Sequence, residues 1–281
     1  MQLGIFAKTF TRPTLEAVLD AVASHGLHCA QFNFASAGLP SLPERIDPAL
    51  ADKVRHEMEA RKLTMAAVSG TFNLIHPDPK VRRDGLRRLS VLASACQRLD
   101  TSVITLCSGT RDPEDMWRRH PDNDSPEAWK DLVAAMGQAL RIAEEHEVTL
   151  GIEPEVANVI DSARKARRLL DEMKSPRLKI VMDAANLFHA GELAHMKEVL
   201  SDAFELLGRD IVLAHAKELG RDGHAGNLPL GQGVLDWAYY LALLRKAGFT
   251  GPLIMHGFEE RDVAASVVFL RSNLETAACR T

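Results

Sequence analysis

Eight short apolar runs, each followed by a stretch of helix length, set the strongest limit on how this 281-residue chain can fold. The runs cover about residues 3–6, 28–32, 64–68, 102–106, 148–152, 178–182, 211–214 and 253–255. Helices are expected near 14–25, 48–61, 79–98, 125–146, 162–173, 192–207, 236–247 and 261–277. Thr14 suits a helix N-cap and Gly26 a helix stop. Short apolar strands alternating with amphipathic helices imply a parallel sheet covered by helices. Eight such units in a chain of this length imply closure into a single α/β domain over 1–281, a (β/α)8 TIM barrel. An open doubly wound sheet is the alternative, but no Gly-rich phosphate turn follows the first strand.

Composition supports one large core. Apolar residues make up 46% and charged residues 26%, enough to fill a barrel beneath an ordinary solvated surface. The net charge of -4 argues against general nucleic-acid binding, which uses a basic surface. MQLGIFAKTF has no long apolar core of a secretion signal, and no run is long enough to span a membrane. Cys29, Cys96, Cys107 and Cys279 show no paired spacing. They read as free thiols of a reducing, cytoplasmic setting. A homo-oligomer is compatible with this composition.

The last four strands share one further trait: each apolar run ends in a metal-ligand type. These are LGIEPE with Glu153, KIVMDAAN with Asp183, IVLAHAKE with His215 and PLIMHGFEE with His256. A single Asp or His after a strand is usually a turn or cap residue. Four in succession, on the face where a barrel's C-terminal strand ends converge, form a candidate divalent-metal site. Carboxylates suit hard cations and imidazole shifts preference toward transition metals, so manganese, cobalt or zinc is expected ahead of calcium. His256 is a fourth ligand, a proton-transfer residue beside the metal, or a residue that bonds the closing turn. Glu153 is a ligand with a share in proton transfer.

Other strand ends offer polar groups for a polyhydroxylated substrate. Lys8 follows the first strand and Asn33 the second, and SGTFNLIHPD after the third supplies Asn73 and His76. Glu155 follows a Pro, so strand alternation cannot give its direction. Asn186 stands three residues after Asp183, to bond a ligand or substrate or to cap the next helix. Glu218 stands three after His215, to orient its ring or contact substrate. Gly231 and Gly233 flank Gln232 in a turn that either approaches a phosphate or is a plain tight turn. The long insertion at 107–125 contains Trp117 and His120 and is expected to help wall the pocket. The loop at 219–233, with His224, is a candidate cover.

The segments GTFNLIHPD, LGIEPE, VMDAANLF, AHAKE and LPLGQG followed by DW resemble the xylose isomerase-like superfamily, in particular its sugar phosphate isomerases and epimerases. The resemblance covers nearly the whole chain. It implies a divalent metal, often manganese, held by Glu, Asp, His and a final Glu from the last four strands; magnesium is a further candidate ion. Glu153, Asp183 and His215 match the first three. His256 stands where the final Glu is expected, and Asn186 where many members have a second His. The implied function is isomerisation or epimerisation of a small-molecule sugar or sugar derivative through a metal-stabilised enediolate. A metal-dependent dehydratase of a keto-inositol is the alternative enzyme, and a non-catalytic sugar-binding barrel the alternative of another class. The superfamily's endonucleases carry a richer histidine set than this chain shows.

Overall fold

The computed structural model describes residues 1–278, so the expectation for Cys279 lies outside the described residues. Eight strands and eight helices alternate as expected. The strands are β1 (Gln2–Phe6), β2 (Cys29–Phe32), β3 (Thr64–Ser69), β4 (Val103–Cys107), β5 (Thr149–Glu153), β6 (Leu178–Asp183), β7 (Ile211–Ala216) and β8 (Pro252–Met255). The helices are α1 (Leu15–Ser24), α2 (Pro48–Ala60), α3 (Pro79–Ala95), α4 (Pro126–Glu145), α5 (Ala163–Met173), α6 (Met196–Leu207), α7 (Trp237–Lys246) and α8 (Val263–Ala278). Every strand is parallel to its neighbour, and β8 closes onto β1 from Gln2↔Pro252 to Ile5↔Met255. Closure leaves no unpaired sheet edge.

Local chemistry sets the helix ends. Thr14, Asp47, Asp78, Ser125, Ser162 and Asp236 each accept a bond from a backbone N–H of the first turn they precede. This satisfies donors that the helix itself cannot. Pro48, Pro79 and Pro126 follow three of these caps, where a missing N–H costs nothing. Two expected helices start late. The sixth opens as a 3-10 turn over Glu192–His195 before α6, and the eighth follows a 3-10 turn over Glu260–Asp262. Short 3-10 turns also follow β1, β2 and β6, at Ala7–Thr9, Phe34–Ala37 and Ala184–Leu187. Among the described residues no helix is long and apolar enough to cross a membrane. Cys29, Cys96 and Cys107 are buried and unpaired.

The core has two parts. The larger packs outward-facing strand residues such as Ile5, Ala30, Ile104, Leu150 and Ile152 against the buried stripes of the helices. The smaller, Phe6, Cys29, Ala67, Val181, Leu213 and Ile254, fills the barrel. Side chains alternate along a strand, so a residue two positions beyond an interior one is also interior. Val181 therefore carries Asp183 inward, Leu213 carries His215, and Ile254 carries His256. Gly151 lies below Glu153 by the same parity, and a Cβ there would stand 2.8 Å from Val181. The barrel is thus apolar and tight below and polar at the C-terminal mouth.

Gly4 is the tightest interior position of β1. A Cβ there would meet Cys29 O and Sγ, both at 2.5 Å, and Ile254 at 2.7 Å. The carbonyl belongs to the ladder and cannot yield. Gly4→Ala is expected to destabilise the barrel by about 3 kcal/mol in chemical unfolding, at the upper end of overpacking costs. A loss below about 0.5 kcal/mol would mean that this layer has room to spare.

Candidate metal centre

Four ligand-type side chains converge at the mouth. Glu153 and Asp183 end β5 and β6, His215 is the penultimate residue of β7, and His256 follows β8. One ligand atom from each lies within 4.8 Å of the others. His215 Nδ1 is 3.3 Å from Glu153 Oε1 and 3.8 Å from Asp183 Oδ2, and His256 Nε2 is 3.1 Å from Asp183 Oδ2. The two imidazoles lie 4.3 Å apart between centroids. Glu153, Asp183 and His215 are buried.

Neighbouring groups aim these atoms. Gln31 Nε2 donates to Thr105 Oγ1, which turns Gln31 Oε1 toward His215 Nε2 at 2.8 Å. With Nε2 turned to Gln31, Nδ1 is the nitrogen that faces Glu153 and Asp183. Asp183 Oδ1 accepts from Ala185 N at 3.0 Å, leaving Oδ2 for the cluster. Asn186 donates to Glu153 Oε1 at 2.7 Å. Lys217 Nζ donates to Asn186 Oδ1 at 2.5 Å and lies 3.2 Å from Asp183 Oδ2. Below them the Tyr240 hydroxyl lies 3.0 and 2.9 Å from the carbonyls of Met182 and His215, tying β6 to β7 under the ligands.

Charge follows from burial and pairing. Burial pulls the Asp183 carboxyl up, but Lys217 and His256 outweigh it and hold it well below the usual range. Burial likewise raises Glu153, and His215 more than offsets it. Burial draws Lys217 down, and Asp183 with Glu153 reverses this, so its ammonium persists. Burial and then His215 push His256 down to about 4, which keeps it neutral near pH 7. Two carboxylates, one ammonium and two imidazoles meet at the mouth. That donor set fits a divalent ion of transition-metal character.

A cavity of about 1220 Å³ opens above the cluster. Of the residues expected to touch substrate, Lys8, Asn33, Glu155 and Asn186 line it together with Glu153, His215 and His256. Asn33 also caps the turn after β2 through Ala35 N. Glu155 is drawn into the wall by Ala157 N and Asn158 Nδ2, and burial raises its carboxyl to about 7. Asn73, His76 and Glu218 stand outside the cavity wall, each bonded to backbone. Asn73 Oδ1 accepts from Ile75 N and Thr110 N, and its amide donates to Thr110 O. His76 bonds Asp78 N and Pro113 O. Glu218 accepts from Leu219 N, Gly231 N, Leu235 N and Trp237 Nε1. The Gly231 N–H is therefore spent on Glu218.

Two contributors went unnoticed in the sequence, Gln31 and Lys217. Both stand two residues from a residue already singled out, Gln31 before Asn33 and Lys217 after His215. The two-residue period of a strand was the available signal. The insertion after β4 does wall the cavity, through Met116, Trp117 and Arg119, and Trp117 is 53% exposed at its rim. The loop after β7 contributes Asp222 to Asn227, His224 included.

Fold and cluster together define a parallel barrel whose mouth carries a candidate metal site. Residues 19–273 match the model of the xylose isomerase-like TIM barrel family, and the chain belongs to that family. It is 26% identical over 199 residues to the L-ribulose-5-phosphate 3-epimerase UlaE of Shigella flexneri serotype 5b (strain 8401). That match covers 70% of this chain and 65% of the relative, so just under two thirds of the relative is spanned. Among solved structures, a D-tagatose 3-epimerase-like protein superposes with a TM-score of 0.78 at 15% identity, over 100% of this chain and 99% of that one. The IOLI protein with a bound zinc atom superposes at 0.74 and 17% identity, with the same coverage.

Glu155 gives a pH test of this geometry. Its folded pKa of about 7 lies above its ordinary value of 4.5, so the native state holds the proton more tightly than the unfolded chain. The stability that Glu155 contributes should then fall as pH rises from 4.5 to 7. Glu155→Gln keeps the neutral shape. Its stability relative to wild type is expected to rise by about 2 kcal/mol across that window, measured by urea unfolding without added metal. A difference that stays flat with pH would show that Glu155 ionises freely in the cavity.

Proposed function

We propose that this chain is a divalent-metal-dependent isomerase or epimerase of a sugar or sugar derivative, acting in the cytoplasm through an enediolate. The observation that carries the reading is the convergence of Glu153, Asp183, His215 and His256 on one point beneath a polar cavity. The similarity to a protein named as a sugar phosphate epimerase supports the reaction class. The zinc atom in a structural neighbour supports a metal in a barrel of this shape. Manganese is the proposed ion, with cobalt, zinc or magnesium as alternatives, since two imidazoles beside two carboxylates favour the transition metals.

When bound, a divalent ion supplies a Lewis acid that stabilises negative charge on a polarised sugar carbonyl. The chain's own groups do the rest. Glu153 and His256 hold and move the proton of the carbon beside that carbonyl. His256 is neutral near pH 7, and its Nε2 lies 3.1 Å from Asp183 Oδ2, at the point where it would ligate the ion or exchange a proton. Glu155, titrating near neutrality, is suited to exchange a proton with a substrate oxygen. Lys217 keeps Asp183 ionised and fixes Asn186 on Glu153. Lys8 and Asn33 offer polar contacts from the opposite wall.

Two measurements test this. Elemental analysis should find about one divalent ion per wild-type chain, and Asp183→Ala should bind it at least ~100-fold more weakly. Loss of a group outside the ligand shell already costs about 10–100-fold, and loss of a ligand costs more. Equal metal content in both proteins would sink the ligand assignment. Incubating the manganese-loaded protein in heavy water with ketoses, their phosphates and keto-inositols should then exchange a carbon-bound proton without loss of water. Net loss of water from a keto-inositol would mark a dehydratase. Sugar binding without turnover or exchange would mark a binding barrel.

A further inference from the structure

Among the described residues the cavity wall carries three Lys or Arg side chains: Lys8, Arg119 and Lys217. Arg119 is held at the rim by Asp124 and Asp161, and Lys8 lies over the Phe6 ring. Lys217 is the one delivered to the metal cluster. Its stem runs against two glycines. A Cβ on Gly257 would stand 2.8 Å from both Lys217 Cγ and Cδ, and one on Gly226 would stand 3.6 Å from Cδ. A larger residue after His256 would therefore push the lysine aside. At the far end the ammonium donates to Asn186 Oδ1 at 2.5 Å and lies 3.2 Å from Asp183 Oδ2. The side chain is only 12% exposed, and the part that remains open faces the cavity. Asn186 is engaged at both ends, its amide on Glu153 and its carbonyl on Lys217. An ammonium has three N–H donors. Among the described residues two of them have acceptors, both on the β6 side of the site.

We propose that Lys217 is a catalytic residue, whose ammonium donates its third N–H to the substrate oxygen that gains negative charge as the enediolate forms. This rests on the enediolate reading above and adds to it an electrophile that belongs to the chain itself. When the C–H bond beside the carbonyl breaks, its proton passes to Glu153 or His256. Its electron pair moves into the new C–C double bond, and the carbonyl pair moves onto oxygen. Lys217 keeps its proton throughout and only strengthens its hydrogen bond as that charge grows. A counter-ion for Asp183 alone would be served as well from behind the cluster, away from the cavity. Here Asp183, Asn186 and the two glycines fix the ammonium on the cavity side before substrate arrives, so little reorganisation is needed at the moment of reaction.

Binding of an enediolate mimic tests this without turnover. Manganese-loaded wild type, Lys217→Ala and Lys217→Gln are titrated with ribonohydroxamate, whose planar pair of oxygens resembles the enediolate, and with ribitol, which has no such pair. Wild type should prefer the hydroxamate. In Lys217→Ala that preference should fall about tenfold, the scale of one charge-assisted bond, while ribitol binding holds. Propylammonium, which replaces the missing atoms from Cγ to Nζ, should restore it in a saturable way. Lys217→Gln keeps much of the side chain's reach and none of its charge, so the same loss is expected there, and it decides the matter if Lys217→Ala does not fold. Metal content, measured separately, should not fall in either variant, since Lys217 is not a ligand. Loss of metal with the preference unchanged would make Lys217 a support for the ligands only and overturn the proposal. An equal preference in wild type and both variants would overturn it as well, leaving the enediolate reading intact. If wild type itself shows no preference, that reading fails and this inference fails with it.

Discussion

Two carboxylates buried at the mouth of a closed barrel set the terms for everything around them. Glu153 and Asp183 are 8% and 1% exposed, and an uncompensated charge at such depth costs far more than the fold can spare. Lys217 balances one of them directly, and its own ammonium is kept by the same pair. Asn186 then links the two carboxylates, donating to Glu153 while accepting from Lys217. His215 and His256 complete the ring around Asp183 Oδ2. Two carboxylates and two imidazoles drawn to one point make the cluster suited to a divalent cation.

The loops are held with the same economy. Glu218, fully buried, gathers three backbone N–H groups and the Trp237 indole, and so anchors the whole connection from β7 to α7. Gly231 at φ 84 and Gly233 are required by that packing. A Cβ on Gly233 would come within 2.1 Å of Leu219 O and 2.6 Å of Glu218 Oε1. On the other side of the mouth Asn73 and Asn158 bond the backbone at Thr110 and Gly109 and brace the insertion after β4. Buried loop amides need partners of this kind, because no ladder supplies them. The cavity wall can then carry Trp117 and Arg119 on a braced backbone.

The legible part of the molecule was the part with a period. The eight strands, their helices and the inward set of Glu153, Asp183, His215 and His256 all follow from two-residue alternation and capping chemistry. The same period, applied from His215 to Lys217 and from Asn33 to Gln31, would have reached both missed residues. Past the strand ends it lapses. Asn73, His76 and Glu218 look like substrate contacts in sequence, because a loop residue that bonds substrate and one that bonds backbone have the same chemistry. Their roles depend on where the chain returns: Asn73 on Thr110, Glu218 on Gly231. Neither return is visible in local sequence. The late start of α6 is similar, since a 3-10 turn and an α-helix share most of their pattern.

The central claim is that these four side chains bind one ion, with His215 turned by Gln31 so that Nδ1 faces it. Anomalous diffraction from crystals loaded with manganese tests this most directly. A single strong peak is expected about 2.0–2.3 Å from Glu153, Asp183, His215 Nδ1 and His256 Nε2, as first-row metal bonds require. No peak at the barrel mouth, or a peak bound through His215 Nε2 with Gln31 displaced, would contradict the account.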